Sequence, residues 1–344
     1  MKNLKRIIII LCTILLVILG ILGYFTLRDY NPDKKEVIAQ HQSGVYPSDT
    51  ISCVIWNIGY CGLSEDMSFF YDGGEQTRTT KEQTEKNLSF IKDQLIKERE
   101  TDFFLLQEVD TASKRSYYLN EFDALSNVLE NQYGYFATNY QVDYVPVPVT
   151  DPLGKVRGGL ATFTRHKPGK AVRYAFPSSY SWPMKLFMLD RCFLTTEYVL
   201  ENHRKLIVVN THNSAYDDGS LKRKEMNFLK KYLLKEYEKG NYLVVGGDWN
   251  QSPPGIDRVK ERFDLSNTMS VNKDFMPKGW KWGADFQTPT NRSLDAPFNK
   301  KSKRRILDFY LVSPNVEILD VKTRNHHFKH TDHHPVFARF KLIN

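Results

Sequence analysis

Two hydrophobic periods alternate along most of the chain. Apolar runs bounded by turn residues occur at Ile51–Ile58, Asp102–Val109, Gly159–Arg165, Lys205–Thr211, Tyr242–Gly247, Ile306–Val312 and Pro335–Leu342, and each predicts a strand. Three segments instead carry apolar residues at helical spacing. Thr80–Arg99 aligns Leu88, Ile91 and Leu95 behind a Thr/Glu start signal. Ser116–Asn131 aligns Leu119, Phe122, Leu125 and Leu129, and Ser220–Lys239 aligns Leu221, Phe228, Leu229, Tyr232 and Leu233 before Gly240. Many strands with a few helices between them predict an α/β fold in which two packed sheets are flanked by helices.

The first residues follow neither period. An uncharged apolar run of 19 residues, Ile7 to Phe25, stands behind Lys2, Lys5 and Arg6. About 20 apolar residues span the hydrocarbon layer as a helix. The basic flank predicts a cytoplasmic N-terminus and an exported body. A cleaved signal peptide is the rival, but the run is long for one and ends Gly23-Tyr24-Phe25-Thr26 without a small-x-small site. The expected organisation is a membrane anchor over residues 1–28, a linker over 29–50 and one catalytic domain over 51–344. The protein is then single-pass in the cell membrane with its catalytic domain extracytoplasmic.

Composition narrows this picture without choosing a function. With 41% hydrophobic and 26% charged residues the chain is an ordinary globular one, which excludes a disordered or collagen-like reading. Its net charge of +8 invites a polyanion partner, but four of the excess positive charges lie in residues 1–28. Outside the apolar run, Cys53, Cys61 and Cys192 have no metal-type spacing; Cys53 and Cys192 read as small buried hydrophobes.

The candidate chemistry lies where the apolar strands end. They run into Asn57, Glu108, His212, Asp248 with Asn250, and Asp308, and Asp332-His333-His334 precedes the last one. One carboxylate after a strand is ordinarily a turn or cap residue. Six such ends meeting at a common rim would repel unless a hard cation sat among them, and carboxylate and amide oxygens suit Mg²⁺, with Mn²⁺ possible in its place. The chain has no Gly-x-Ser-x-Gly elbow, Walker loop or dinucleotide fingerprint, which leaves water as the nucleophile and hydrolysis as the reaction class.

The segments WNIGY (Trp56–Tyr60), LLQEVD (Leu105–Asp110), VVNTH (Val208–His212), VVGGDWN (Val244–Asn250), ILDFYLVS (Ile306–Ser313) and TDHHPV (Thr331–Val336) resemble, in order, the six signature segments of the endonuclease/exonuclease/phosphatase family. The resemblance implies the four-layer α/β sandwich of deoxyribonuclease-like enzymes, with two mostly antiparallel sheets face to face and helices outside. It implies a metal held by Glu108, Asn57 and Asp332, and an attacking water oriented by Asp248 and held by Asn250, which also holds a phosphoryl oxygen. It further implies that His212 and His333 bracket the phosphate, that Asp308 fixes the tautomer of His333, and that Arg191 contacts phosphate.

This chain departs from the family pattern at Lys155–Gly159, which lacks the acid that supports the first histidine. Asp217 or Asp218 is the alternative partner for His212, and Tyr144 is the candidate for a catalytic-site tyrosine. The function these residues imply is metal-dependent hydrolysis of a phosphodiester, in nucleic acid or a phospholipid headgroup. The alternatives are a phosphomonoesterase on an inositol-phosphate-like substrate and a non-catalytic phospho-ligand-binding relative. The expected partners are that phosphate ester and, through the N-terminal helix, the membrane; nothing in the sequence points to a protein partner.

Other features admit two readings. The histidines at 326, 327, 330, 333 and 334 suit a zinc site or a solvated loop. The Lys300–Arg305 run suits a polyanion contact or solvent. Trp280, Trp282, Phe286 and Phe298 suit base stacking, bilayer insertion or the packing of a long loop.

Overall fold

A continuous apolar run buries both faces of its strand, and the structure shows where each face goes. In the computed structural model, which describes residues 2–42, 44–266 and 268–343, Ile51, Cys53 and Ile55 enter a core between two sheets. The alternate residues Val54 and Trp56 enter a second core beneath helices. The same split separates Leu206 and Val208 from Ile207 and Val209.

The first sheet has seven strands in the order β1 (Lys35–Gln40), β6 (Lys170–Ala175), β7 (Cys192–Val199), β8 (Lys205–His212), β9 (Tyr242–Asp248), β13 (Asp308–Val312) and β10 (Lys281–Gly283). The second has six: β14 (Val316–Thr323), β15 (Val336–Leu342), β2 (Thr50–Asn57), β3 (Phe103–Asp110), β5 (Gly154–Thr164) and β4 (Tyr133–Val145). A separate ribbon pairs β11 (Asn291–Arg292) with β12 (Arg304–Arg305).

Among these strand pairs only β2/β3 and β8/β9 run parallel. Each of the two is joined by a crossover helix, α2 (Lys81–Lys97) and α4 (Ser220–Glu238). The helix α2, capped by Thr80 accepting from the Gln83 N–H, packs with α3 (Glu121–Ser126) on the second sheet. The helix α4 packs on the first. The layers are therefore helix, sheet, sheet, helix, the expected deoxyribonuclease-like α/β sandwich.

The helix α1 (Lys2–Leu27) buries no residue and is long and apolar enough to cross a membrane. Its C-terminal end nevertheless touches the body. Phe25 lies edge-on to Phe187 with ring centroids 5.1 Å apart, the Trp182 indole donates to Thr26 Oγ1 at 3.1 Å, Arg28 pairs with Asp143 at 2.9 Å and Lys185 with Asp29 at 2.9 Å.

Several expectations change at this level. Residues 29–50 are not a free linker: β1 pairs with β6 at the edge of the first sheet, and Tyr46 is buried between the sheets. The polar Lys35, Glu36 and Gln40 hide that strand, which lies at the sheet edge and has no buried residue. The helix expected over Ser116–Asn131 is limited to α3, since Lys114–Ser116 form a 3₁₀ turn that carries Arg115 into a buried ion pair with Asp110. Trp282 packs on Trp249 and Phe309, and Trp280 on Tyr237, which makes the aromatic insertion a cover for α4 and the first sheet. Cys53, Cys61 and Cys192 are buried and free.

Candidate active site

Register sets half of the site. His212, Asp248 and Asp308 are direct neighbours across β8, β9 and β13, so three polar side chains line up at one edge of the first sheet. The close approach depends on Gly247, whose φ is +154°; a Cβ there would lie 1.9 Å from the Thr211 carbonyl oxygen. After β9 the chain turns at Asn250 (φ +49°), where the Asn250 N–H donates to Asp248 Oδ1 at 2.9 Å. The Asn250 amide nitrogen donates to the Asn213 carbonyl at 2.8 Å, and Asn250 lines the cleft.

The second sheet supplies the other half through an irregularity. The pairing of β3 with β5 slips between Leu106 and Val109, and within that bulge Glu108 takes a left-handed φ of +54°. A bulge re-aims a side chain out of the pleat, and left-handed backbone in a non-glycine residue is retained only where surrounding contacts hold it. Glu108 is thereby turned toward the first sheet, where its carboxylate stays a quarter exposed and lies 3.8 Å from His212 Nε2.

Asn57 joins the halves. Its amide nitrogen donates to Glu108 at 3.1 Å and to Asp248 at 3.0 Å, while its carbonyl oxygen accepts from the Gly59 N–H at 3.0 Å. In this geometry Asn57 holds two carboxylates in place, and its oxygen accepts one hydrogen bond, which leaves a lone pair for a metal.

The two histidines stand in different surroundings. His333 Nδ1 is 2.7 Å from Asp308, its Nε2 is 2.9 Å from the Asn291 amide, and Asp332 and Asp248 lie 3.7 and 3.8 Å from Nε2. Burial opposes its positive form, but Asp308, Asp332 and Asp248 outweigh burial and raise its pKa well above the ordinary value. His212 is as buried, yet its Nδ1 has no hydrogen-bond partner among the described residues. Burial, with Arg191, His333 and Arg115 adding to it, holds its pKa well below the ordinary value. The carboxylates thus favour a proton on His333, while burial disfavours one on His212.

Burial, then repulsion from Asp308, raises the Asp248 carboxyl to about 6. Asp332 is raised to about 7, again by burial, with Glu108 adding to it.

Asp248, Asp308 and His333 bring potential ligand atoms within 4.8 Å of one another. Both His333 ring nitrogens are already engaged, however, so that cluster reads as a hydrogen-bonded relay. A hard cation fits better beside Asp332 and Glu108. Asp332 Oδ1 is buried without a hydrogen-bond partner among the described residues, and Glu108 presents a partly open carboxylate to the same cleft.

The cleft holds about 440 Å³ and is lined by Glu108, Asp248, Asn250, Asp332, His212 and His333 together with Arg191. Arg191 is nearly buried and its Nη1 has no hydrogen-bond partner among the described residues, as suits a group waiting for an anion. Sequence reasoning missed several of the cleft's residues. Asn291 reaches His333 from the β11 ribbon. Arg115 lies flat on the Tyr60 ring at 3.8 Å and forms a two-pronged pair with buried Asp110 at 2.9 Å; a Cβ on Gly158 would strike that carboxylate. Tyr71 and Tyr216 stack at 5.7 Å on another wall.

Other expectations fall away from the site. Asp217 accepts from the Leu221 and Lys222 N–H groups, and Asp218 from Ser220, so both serve the start of α4 instead of His212. Tyr144 is 45% exposed and does not line the cleft, whose tyrosines are Tyr60, Tyr71, Tyr140, Tyr180 and Tyr216. The histidine-rich stretch does not converge: His334 bridges Pro289 and Phe328 by hydrogen bonds, while His330 stacks on Phe90. Of the basic run, Lys303 and Arg305 reach the cleft and also pair with Asp264.

Residues 55–333 match the model of the Endonuclease/Exonuclease/phosphatase family. The chain belongs to that family. The endonuclease/exonuclease/phosphatase fold and the site at its strand ends thus account for nearly all of the body, and family membership makes the protein a hydrolase of phosphoester bonds in a family of divalent-metal-dependent enzymes. The chain is 26% identical over 240 residues to exodeoxyribonuclease III of Haemophilus influenzae, covering 57% of this chain and 84% of that one. A family structure from Beutenbergia cavernae superposes with a TM-score of 0.60 at 15% identity, over 86% of this chain and 72% of the other. One from Bacteroides vulgatus gives 0.53 at 17% identity, over 85% and 99%. At those identities the structural likeness speaks for the fold alone.

Proposed function

We propose that the protein is a membrane-anchored, extracytoplasmic, Mg²⁺-dependent phosphodiesterase acting on nucleic acid or a phospholipid headgroup. The observation that carries this reading is the convergence, across two sheets, of the Asp308–His333 pair, Asp248, Asn250, neutral His212 and the partnerless Asp332 Oδ1 on one cleft. A non-catalytic phosphate binder has no use for so costly an assembly of buried acids.

Glu108 and Asp332 would hold the cation, which, when bound, draws charge from the phosphoryl oxygens. Asp248 takes a proton from the attacking water. Its pKa of about 6 leaves it ionised at neutral pH yet basic enough to accept one. Asn250 offers that water its carbonyl oxygen. His333 in its protonated form and Arg191 stabilise negative charge as it builds on the phosphoryl group, which is where most of the rate enhancement of such a reaction is expected to arise. His212 contributes a neutral N–H on the opposite side. Mn²⁺ satisfies the same oxygen donors.

The test is hydrolysis of bis(p-nitrophenyl) phosphate by the full-length protein. With Mg²⁺ it should proceed, and it should fall by about 10²-fold or more in Asp248→Asn. Undiminished turnover in EDTA would overturn the metal-dependent reading. Protease shaving of intact cells tests the topology, and digestion of the body from outside is the expected result.

A further inference from the structure

The loop and the strand end that grip the end of α1 lead into two loops that form part of the rim of the cleft. Trp182, Lys185 and Phe187 touch Thr26, Asp29 and Phe25, while Tyr180, Met188 and Leu189 of the same loop line the cleft. Near the end of β4, Asp143 pairs with Arg28, and Leu153, on the loop that follows β4, lines the cleft. From Arg28 to Lys34 the chain spans at most about 25 Å before β1 is locked to β6. The contacts of Phe25, Thr26, Arg28 and Asp29 thus place the surface α1 emerges from beside the mouth of the site.

Both loops also expose apolar side chains that a watery setting does not explain. Val149 is 88% exposed at the tip of one loop, with Tyr144 and Val147 nearby in the sequence, and Trp182 and Met184 are each more than half exposed on the other. An amphipathic indole and aliphatic tips next to a membrane-spanning helix are the side chains that settle at the headgroup level of a bilayer.

We infer that the cleft opens onto the membrane from which α1 emerges and that its substrate is the phosphodiester of a membrane lipid headgroup. This rests on the phosphodiesterase reading above and narrows it. A water oxygen bonds to phosphorus, the ester bond opposite it breaks, and the departing oxygen takes a proton and leaves as an alcohol. One product stays in the bilayer and the other enters the water. A nucleic acid, which has no need of an apolar rim, is the alternative outcome.

The full-length protein, reconstituted into vesicles of phosphatidylethanolamine, phosphatidylglycerol and sphingomyelin with Mg²⁺, is assayed in one sample for lipid hydrolysis by mass spectrometry and for bis(p-nitrophenyl) phosphate by absorbance. A DNA oligonucleotide is assayed in parallel. Wild type should cleave lipid. Val149→Asp, and separately Trp182→Ser with Met184→Ser, should reduce lipid turnover at least tenfold while the soluble diester is cleaved at the wild-type rate, which also reports that each variant folds. Lipid turnover that survives both variants overturns the inference. So does a wild type that cleaves the soluble diester or DNA but no lipid. A wild type inert toward the soluble diester, the lipids and DNA alike fails the phosphodiesterase reading itself.

Discussion

The two histidines of the cleft are equally buried and differently supported, and the contrast shows how one site keeps two protonation states. His333 is braced by Asp308 and Asn291 and faces two further carboxylates; His212 faces Asp248 and Glu108 through Nε2 and has an open Nδ1. In a low-dielectric setting a bonded carboxylate decides which form survives. Among the described residues no carboxylate bonds to His212 Nδ1, and burial holds the ring toward its neutral form. The two side chains are expected to fail differently when disturbed.

The largest effect is expected on the braced side. Asp308→Asn leaves the shape of the pair and removes its charge, so kcat/KM for a soluble phosphodiester should fall by about 10³-fold, with His333→Ala at least as damaging. A loss under tenfold would mean that His333 does not act as a cation. On the open side, His212→Gln retains an N–H donor at lower precision, and a drop of about 10- to 10²-fold is expected. Equal losses on the two sides would erase the contrast.

Acidity separates the carboxylates from the histidines. Asp332 has its pKa raised to about 7 in the metal-free protein, so a cation must displace its proton. Mg²⁺ affinity should weaken as pH falls from 8 through 7 toward 5, and calorimetry in buffers of different ionisation enthalpy should detect protons released on binding. Affinity that is flat over that range would remove Asp332 from the metal's surroundings. The smallest catalytic effect is expected at Asp217, which supports α4. Asp217→Ala should cost about 1–2 kcal/mol in urea unfolding yet leave kcat/KM within about threefold.

Polar residues at the ends of buried strands are legible in the sequence, because a Glu or Asp set against an apolar run breaks a strong local pattern. Glu108, Asp248 and Asp308 stand out for that reason, and all reach the site. Asn291 and Arg115 carry no such mark. They arrive on a two-residue ribbon and a 3₁₀ turn, and only tertiary contacts tell them from surface residues. The strands β1 and β14 are illegible because their outward faces carry charge, and β4 because Gly134, Thr138 and Asn139 interrupt its apolar alternation. The docking of α1 on the rim loops likewise leaves no trace in the local pattern.

Beneath the cleft, the Gln107 amide nitrogen on β3 donates to Asn210 on β8 at 2.7 Å, and the Asn210 amide donates onward to the Leu106 and Ala161 carbonyls. Apolar faces have no preferred offset and would let one sheet creep along the other by a fraction of a residue. This directional contact works as a dowel between two plates. It fixes the offset one residue from Glu108 and two from His212, so thermal sliding elsewhere in the sandwich is damped before it reaches the atoms that must meet a phosphate.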